Sequence, residues 1–341
     1  YFSVHKMDLD GGVMVTASHN PSEFNGFKML KGKAALAGEE IQEVKKIVET
    51  QKYMDGEGSL READVMEDYL TEISSKVKLE RPLKVVVDAG NGSASIAGPE
   101  SLRRIGCEVT ELYCDYDGRF PNHHPDPTVD EYMQDLKKRV LEEKADFGVG
   151  FDGDGDRAGF IDDAGRIIRG DTAMILFARD MLKRNPGAKI IFDVKCSHLL
   201  PEDIKDNGGV PVMSRTGHSF IKKRMKTEDA KMAGEMSGHY FFRDNYYGYD
   251  DAVMAGLRMA QYLSNTDKKL SLIIDGLPQT HATPELKLEV PEEVKFQVVE
   301  EVVEHFKENP GEAEVVDVDG VRLQYSDGWG LLRASNTSPT I

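Results

Sequence analysis

The sequence is short of cysteine, of positive charge and of long apolar runs. Its 341 residues include three cysteines, Cys107, Cys114 and Cys196, with no CxxC pair and one thiol necessarily left over. That excludes a disulfide scaffold and suits a reduced, cytoplasmic setting. Lys and Arg total 43 against 60 Asp and Glu, a net charge of −17. Nucleic acid and anionic membranes both require a basic face, so neither partner is expected, and any anionic ligand must be met by a local group of cations. No apolar run approaches the roughly 18 residues of a membrane span, and no charged-then-apolar leader opens the chain. What is present is a globular composition. At 40% hydrophobic residues there is ample material for real cores, and at roughly 150 residues per domain the length suggests two or three domains.

The chain opens Tyr1-Phe2-Ser3-Val4, without an initiator Met, and is expected to enter a strand almost at once, as if it began inside a domain. Ile41, Val44, Ile47 and Val48 recur at helical spacing, as do Met66, Tyr69, Leu70, Ile73 and Val77. The run from Leu83 to Asp88, closed by Ala89-Gly90-Asn91-Gly92, reads as a buried strand ending in a turn. Strands near 107–113, 147–151, 188–194, 210–214 and 230–234 then alternate with helices near 130–144, 171–184, 198–206, 218–226 and 250–263. Such alternation means βαβ units, hence an α/β protein whose helices cover parallel or mixed sheets. Boundaries are expected near 68, near 168 after a short Ile167-Ile168 strand, and near 278 at Gly276-Leu277-Pro278. Beyond 278 a strand around 285–290, a helix around 292–307 and short strands at 314–323 and 330–333 suggest a small α+β domain.

Four segments could carry chemistry. In Thr16-Ala17-Ser18-His19-Asn20-Pro21, an apolar strand runs into an Asn-Pro turn that would present Ser18 at a strand end, where α/β proteins bind ligands. There is no G-x-S-x-G elbow and His19 is adjacent in sequence, which argues against a Ser-His-Asp hydrolase. Asp152-Gly153-Asp154-Gly155-Asp156-Arg157 follows an apolar strand directly. Its three carboxylates can converge while the glycines let the backbone curve round an ion, and hard oxygen ligands select Mg²⁺ or Ca²⁺. With Asp152 as the first position of a calcium loop, the sixth is Arg157 instead of Gly and the twelfth Asp163 instead of Glu, so the EF-hand pattern fails. Carboxylates that leave coordination positions open favour Mg²⁺ shared with a phosphate. Gly234-Glu235-Met236-Ser237-Gly238-His239 offers Glu, Ser and His to the hydroxyls of a sugar. Arg333-Ala334-Ser335-Asn336-Thr337-Ser338 has the composition of a phosphate clamp. On their own the Ser18 and Arg333 segments read better as ordinary polar turns, and a polar turn would look like the Glu235 segment.

Together and in this order, TASHNP, DGDGDR, GEMSGH and RASNT resemble the four signatures of the α-D-phosphohexomutase superfamily, and within it the phosphomannomutase/phosphoglucomutase group. The resemblance covers essentially the whole chain. It implies four domains around a central cleft: three similar mixed-sheet α/β domains plus a smaller C-terminal α+β domain. They would span 1–68, with the phosphoserine loop, 69–168, with the metal loop, 169–278, with the sugar loop, and 279–341, with the phosphate loop. The family's first domain begins upstream of TASHNP and its fourth continues beyond RASNT, so the two end domains are expected to be incomplete. The implied activity interconverts hexose 6-phosphate and hexose 1-phosphate, of mannose, glucose or both, through phosphoserine 18 and a hexose 1,6-bisphosphate.

The resemblance further implies one Mg²⁺ held by Asp152, Asp154, Asp156 and the phosphate on Ser18. Lys28 and Arg157 would steady the transferring group, and either His239 or Lys28 would act as general acid or base. Glu235 and Ser237 would bind the sugar's O3 and O4. Arg333, Ser335, Asn336 and Thr337 would grip the other phosphate, with His19, Lys195, Arg215, Thr216, Gly217 and His218 lining the same cleft. Arg215 stands where close relatives often carry Lys. Two alternatives are a phosphoglucosamine mutase, whose sugar loop usually reads GEQSGH where Met236 stands here, and a non-catalytic Mg²⁺-dependent sugar-phosphate binding protein. The phosphosugar is the expected partner, in a monomer or homodimer.

Overall fold

The computed structural model describes residues 1–16, 18, 25–335 and 338–341. In chain order its elements begin with α1 (Phe2–Lys6), β1 (Gly11–Thr16), β2 (Gly26–Lys31), β3 (Ala34–Ala35), α2 (Glu39–Thr50) and α3 (Met66–Ser75). There follow β4 (Lys84–Asp88), α4 (Ala94–Arg104), β5 (Glu108–Leu112), a 3-10 turn at Asp130–Met133 leading into α5 (Gln134–Glu143), β6 (Phe147–Phe151), β7 (Ala158–Asp162) and β8 (Ile167–Ile168). The third group is α6 (Gly170–Arg184), β9 (Lys189–Asp193), α7 (Leu199–Asp206), β10 (Val210–Ser214), α8 (His218–Glu228), β11 (Met232–Gly234), β12 (Tyr240–Phe242), α9 (Ala252–Ser264) and α10 (Leu270–Asp275). The last is α11 (Lys295–Glu308), β13 (Glu314–Val316), β14 (Val321–Gln324) and β15 (Trp329–Leu332).

Among the described residues, two of the four sheets are mixed, as the βαβ alternation predicts. One runs β5-β4-β6-β7-β8, parallel across β5, β4 and β6 and antiparallel beyond; the other runs β10-β9-β11-β12, with only β12 antiparallel. β6 is buried at every position, which explains why Phe147–Phe151 reads as a continuous apolar run. Its carboxyl end delivers Asp152, and the antiparallel return in β7 folds the chain back beside it, so the aspartate loop is a tight connection between paired strands.

A single hydrophobic cluster joins these two sheets. Phe147 and Phe160 lie on one side, Phe177, Tyr240 and Phe242 on the other, and Phe177 meets the Tyr240 ring edge-on at 5.1 Å. Gly98 in α4 is required there, because a Cβ would stand 2.7 Å from the Phe151 ring. Shared burial fixes the aspartate loop relative to the GEMSGH loop.

Several expectations need correction. The opening residues form a helix, not a strand. Phe2 and His5, three residues apart, share a face: Phe2 meets Tyr69 edge-on at 5.2 Å and His5 lies 4.6 Å from the Tyr247 ring. The first sheet, β1-β2-β3, is wholly antiparallel, with Gly11 opposite Lys31 and Thr16 opposite Gly26 in the β1-β2 pair and Leu30 opposite Ala35 in the β2-β3 pair. Residues 285–290 form no strand. Leu288 and Ile341 exchange backbone hydrogen bonds and Glu289 bridges Thr340, but Pro339 has no N–H to continue the ladder. The helix α4 escapes the periodicity reading because Gly, Ser and Pro99 interrupt it.

Candidate active site

The aspartate loop converges as its alternation requires. Among the described residues, ligand oxygens of Asp152, Asp154 and Asp156 lie within 4.8 Å of one another. Asp152 is fully buried, and its Oδ1 accepts the backbone N–H groups of Asp156 and Arg157, each at 3.0 Å. Its Oδ2 receives the Ser18 hydroxyl at 3.0 Å. Ser18 takes a left-handed φ of 53°, a conformation that costs a non-glycine residue energy. Its N–H donates to Thr16 Oγ1 at 3.0 Å, and Thr16 Oγ1 donates in turn to Asp154 Oδ2 at 2.9 Å. Gly153 is indispensable: a Cβ there would stand 2.3 Å from the Ser18 carbonyl oxygen.

Cations face this cluster. Lys28, from β2, contacts Asp154 Oδ2 at 2.6 Å and also pairs with Asp156 Oδ2. Burial works against the Lys28 charge, but Asp156 and Asp154 outweigh it and raise its pKa above the ordinary lysine value. His239 is buried and lies 3.3 Å from Asp156 Oδ1 through Nε2 and 3.2 Å from Glu235 Oε2 through Nδ1. Burial opposes its charge too, yet Asp156 and Glu235 push its pKa up to about 10. Burial and the two neighbouring carboxylates push Asp152 well above the usual carboxylate range. Burial would also raise Asp156, but His239 and Lys28 hold it well below that range.

The donor set fits a hard divalent cation. Among the described residues, Oδ1 of Asp154 and Oδ1 of Asp156 are buried without a hydrogen bond, although His239 Nε2 lies 3.3 Å from the latter. Lys28 and His239 offset part of the cluster's charge, yet these two oxygens still lack a hydrogen bond, and a divalent cation between them and Asp152 would satisfy both.

The sugar loop meets the aspartate loop through backbone. Arg157 and His239 form an antiparallel bridge, and the Ala158 N–H donates to Gly238 O at 3.0 Å. Gly238 has a φ of 88°, and its Cβ would stand 2.8 Å from Ala158 O, so no other residue fits easily. Arg157 Nε lies 3.4 Å from His239 Nε2, and the Ser237 hydroxyl 3.0 Å from His239 Nδ1. Glu235 is buried and accepts the Gly217 N–H at 2.6 Å through Oε1, which ties the Arg215-Thr216-Gly217-His218 segment to the sugar loop. His218 stacks on His239 with ring centroids 5.6 Å apart.

The expected phosphate grip lies beyond Thr216. Arg333 Nε donates to Asp319 Oδ2 at 3.0 Å, and Lys195 pairs with Glu285 at 2.6 Å. Ser335 accepts the Ser338 N–H at 3.2 Å. Arg215 stands apart from this group, exposed and stacked 3.9 Å over the Phe220 ring. His19, Asn336 and Thr337 lie outside the described residues.

Sequence reasoning missed Asp250, Lys222 and Asp193. Asp250 accepts from Lys222 at 2.8 Å and lies 2.8 Å from His218 Nδ1. Asp193, at the end of β9, receives the Thr216 hydroxyl at 3.2 Å and the Met236 N–H at 3.2 Å; burial and the Glu235 charge push its pKa up to about 6. The signal available for Asp193 was its place at the carboxyl end of a parallel strand.

A serine beside a carboxylate cluster that two cations face, on an α/β scaffold, is an arrangement that can serve phosphoryl transfer. The chain matches the Phosphoglucomutase/phosphomannomutase alpha/beta/alpha domain families in order: domain I over 1–55, domain II over 67–165 and domain III over 169–281. It is 43% identical over 341 residues to the phosphomannomutase/phosphoglucomutase of Pseudomonas aeruginosa, covering all of this chain and 73% of that protein. It is 46% identical over 344 residues to the phosphoglucomutase of Neisseria gonorrhoeae, covering 74% of it. Among solved structures, a phosphoglucomutase/phosphomannomutase family protein from Burkholderia thailandensis superposes with a TM-score of 0.91 at 42% identity, over 97% of this chain and 71% of that one. An Aspergillus fumigatus N-acetylphosphoglucosamine mutase, solved with GlcNAc-6P and magnesium, gives a TM-score of 0.66 at 15% identity over 97% and 84%, a likeness of fold alone. The chain belongs to the phosphoglucomutase/phosphomannomutase family.

Proposed function

We propose that this chain is a phosphohexomutase that interconverts hexose 6-phosphate and hexose 1-phosphate, of mannose, glucose or both, through phosphorylated Ser18 and a hexose 1,6-bisphosphate. The observation that carries the reading is Ser18 Oγ, 3.0 Å from Asp152 Oδ2, in a cluster that Lys28 and His239 close from the other side. In the forward half-reaction a free sugar hydroxyl attacks the phosphorus on Ser18 and the P–O bond to Ser18 breaks. The hydroxyl proton is in effect relayed to the departing Ser18 oxygen: His239 or Lys28, both held charged against Asp156, gives its own proton to that oxygen and takes the hydroxyl's in its place. The bisphosphate turns over in the cleft. Ser18 then takes the phosphate from the other end, so the sugar leaves as its isomer and the enzyme is again phosphorylated.

Lys28 and Arg157 bring positive charge to the transferring group. Asp152, Asp154 and Asp156, with the Ser18 phosphate, would hold Mg²⁺, which when bound supplies charge neutralisation for phosphoryl transfer. Glu235 and Ser237 recognise sugar hydroxyls. Arg333, Ser335, Asn336, Thr337, Lys195 and the Arg215–His218 segment, with His19, serve the second phosphate and the cleft. The proposed division into domains is 1–68, 69–168, 169–278 and 279–341. Three cysteines without a disulfide among them support a cytoplasmic setting, and a monomer or homodimer is proposed.

The test is an assay of the full chain with Mg²⁺ and a hexose 1,6-bisphosphate on mannose 1-phosphate, glucose 1-phosphate and glucosamine 1-phosphate. Turnover of either of the first two, lost in Ser18→Ala, supports the reading. Turnover of the amino sugar alone would make the chain a phosphoglucosamine mutase, and binding without turnover would make it a binding protein.

A further inference from the structure

Two halves of the proposed phosphate grip sit on different parts of the chain. Arg333 and Ser335 follow β15, whereas Lys195 and Thr216 follow β9 and β10. A phosphate can be gripped from both sides only if something sets their separation before it arrives. Two residues outside all four signature motifs do so.

Asp319 lies in the turn between β13 and β14. Its Oδ2 accepts both Arg333 Nε and the Thr216 backbone N–H, each at 3.0 Å. One carboxylate oxygen therefore spans the two halves. The turn itself is built tightly against the arginine: Gly320 has a φ of 76°, and a Cβ there would stand 2.2 Å from the Leu332 carbonyl and 2.8 Å from Arg333 Cα. The Asp319 and Arg333 side chains are 11% and 17% exposed, so the contact is largely shielded from water.

Arg322, on β14, makes the second bridge. It is 1% exposed, and its Nη1 donates to Val194 O at 2.6 Å and Cys196 O at 2.7 Å, the two carbonyls that flank Lys195. Its guanidinium lies 3.9 Å over the Trp329 ring, which holds it in place from β15. Among the described residues no carboxylate pairs with it. A guanidinium buried against carbonyls and an indole contributes directional donors at a desolvation cost that an apolar residue would avoid.

We propose that Asp319 and Arg322 are positioning residues that hold the two halves of the phosphate grip in register, Asp319 by orienting Arg333 toward Thr216 and Arg322 by fixing the backbone from which Lys195 projects. This rests on the phosphohexomutase reading for its substrate, and on the hydrogen bonds above for its geometry. Because the phosphate is common to all hexose phosphates, the two residues act on affinity for either sugar alike and leave the chemistry at Ser18 largely untouched.

The test compares the full chain with Asp319→Ala, Asp319→Asn, Arg322→Met and Arg322→Lys, measuring kcat, KM, the thermal midpoint and the calorimetric Kd of glucose 1-phosphate. In Asp319→Ala and Arg322→Met, KM for mannose 1-phosphate and glucose 1-phosphate is expected to rise about tenfold or more, with kcat altered by less than about threefold. Asp319→Asn keeps the acceptor oxygen and is expected within about threefold of the parent. An unchanged KM overturns the proposal. So does a lower KM in Asp319→Ala, the result expected if Asp319 merely repels the phosphate, and so does a loss confined to kcat and the thermal midpoint. If a truncating variant fails to fold, Asp319→Asn and Arg322→Lys decide: the first should retain and the second should weaken phosphate affinity. A parent chain that binds glucose 1-phosphate without turning it over contradicts the function reading, while the Kd comparison still tests the positioning.

Discussion

His218 Nδ1 lies 2.8 Å from one oxygen of Asp250, and Lys222 Nζ lies 2.8 Å from the other. Asp250 is fully buried on its side chain, so it orients a histidine that stacks on His239 while being compensated by the lysine one turn further along α8. Burial alone would raise the Asp250 pKa, but Lys222 and His218 hold it well below the usual carboxylate range.

A folded-state pKa below the unfolded one stabilises the protein above the unfolded value, about 4, and that stability is lost as pH falls toward the folded value. Asp250→Asn should therefore cost about 2–3 kcal/mol at neutral pH, because it takes the charged partner from Lys222, whose side chain is only 12% exposed. The gap between parent and variant should close progressively below about pH 4. Urea unfolding across pH measures both; a gap that stays constant down to acid pH would contradict this account.

The buried oxygens of Asp154 and Asp156 that accept no hydrogen bond among the described residues predict that Mg²⁺ stabilises the fold itself. At a hundredfold excess over Kd, a cation bound only by the folded state adds about 2.7 kcal/mol. Thermal unfolding in Mg²⁺ against EDTA should show the shift, and Asp154→Asn should remove most of it. Equal midpoints with and without Mg²⁺ would count against a metal site.

Gly153→Ala should damage catalysis more than stability. The added methyl meets the Ser18 carbonyl at 2.3 Å, and backbone on both sides must move. Misplacing the nucleophile by about 1 Å can cost about 100-fold, so kcat/KM is expected to fall by that order while the thermal midpoint changes little. Parent-like kcat/KM would show that the contact does not position Ser18.

Much of this was legible in the sequence because the signals are local. The buried β6 run and the alternating glycines at 152–156 are written within ten residues, and the loop folds as that pattern demands. The contacts between loops are less legible. Asp250, Asp193 and Asp319 carry no local pattern of their own; each matters because tertiary folding brings it to His218, Thr216 or Arg333. Glu235 illustrates the same limit: besides the sugar recognition proposed for it, its two oxygens hold the Gly217 N–H and His239, contacts that no local pattern announces. The opening helix was misread because Phe2 and His5 owe their helical face to the Tyr69 and Tyr247 rings, distant in sequence.

The central claim is that Ser18 is the residue that carries and transfers the phosphate. Intact-mass measurement of the parent chain and Ser18→Ala after incubation with glucose 1,6-bisphosphate and Mg²⁺ tests it most directly, followed by a chase with glucose 6-phosphate or mannose 6-phosphate. The parent should become one phosphate heavier, with the group mapped to Ser18, and should lose it to either sugar in the chase, whereas Ser18→Ala should stay unmodified throughout. A parent chain that never gains the phosphate, or a Ser18→Ala chain that gains and transfers it equally well, would contradict the account.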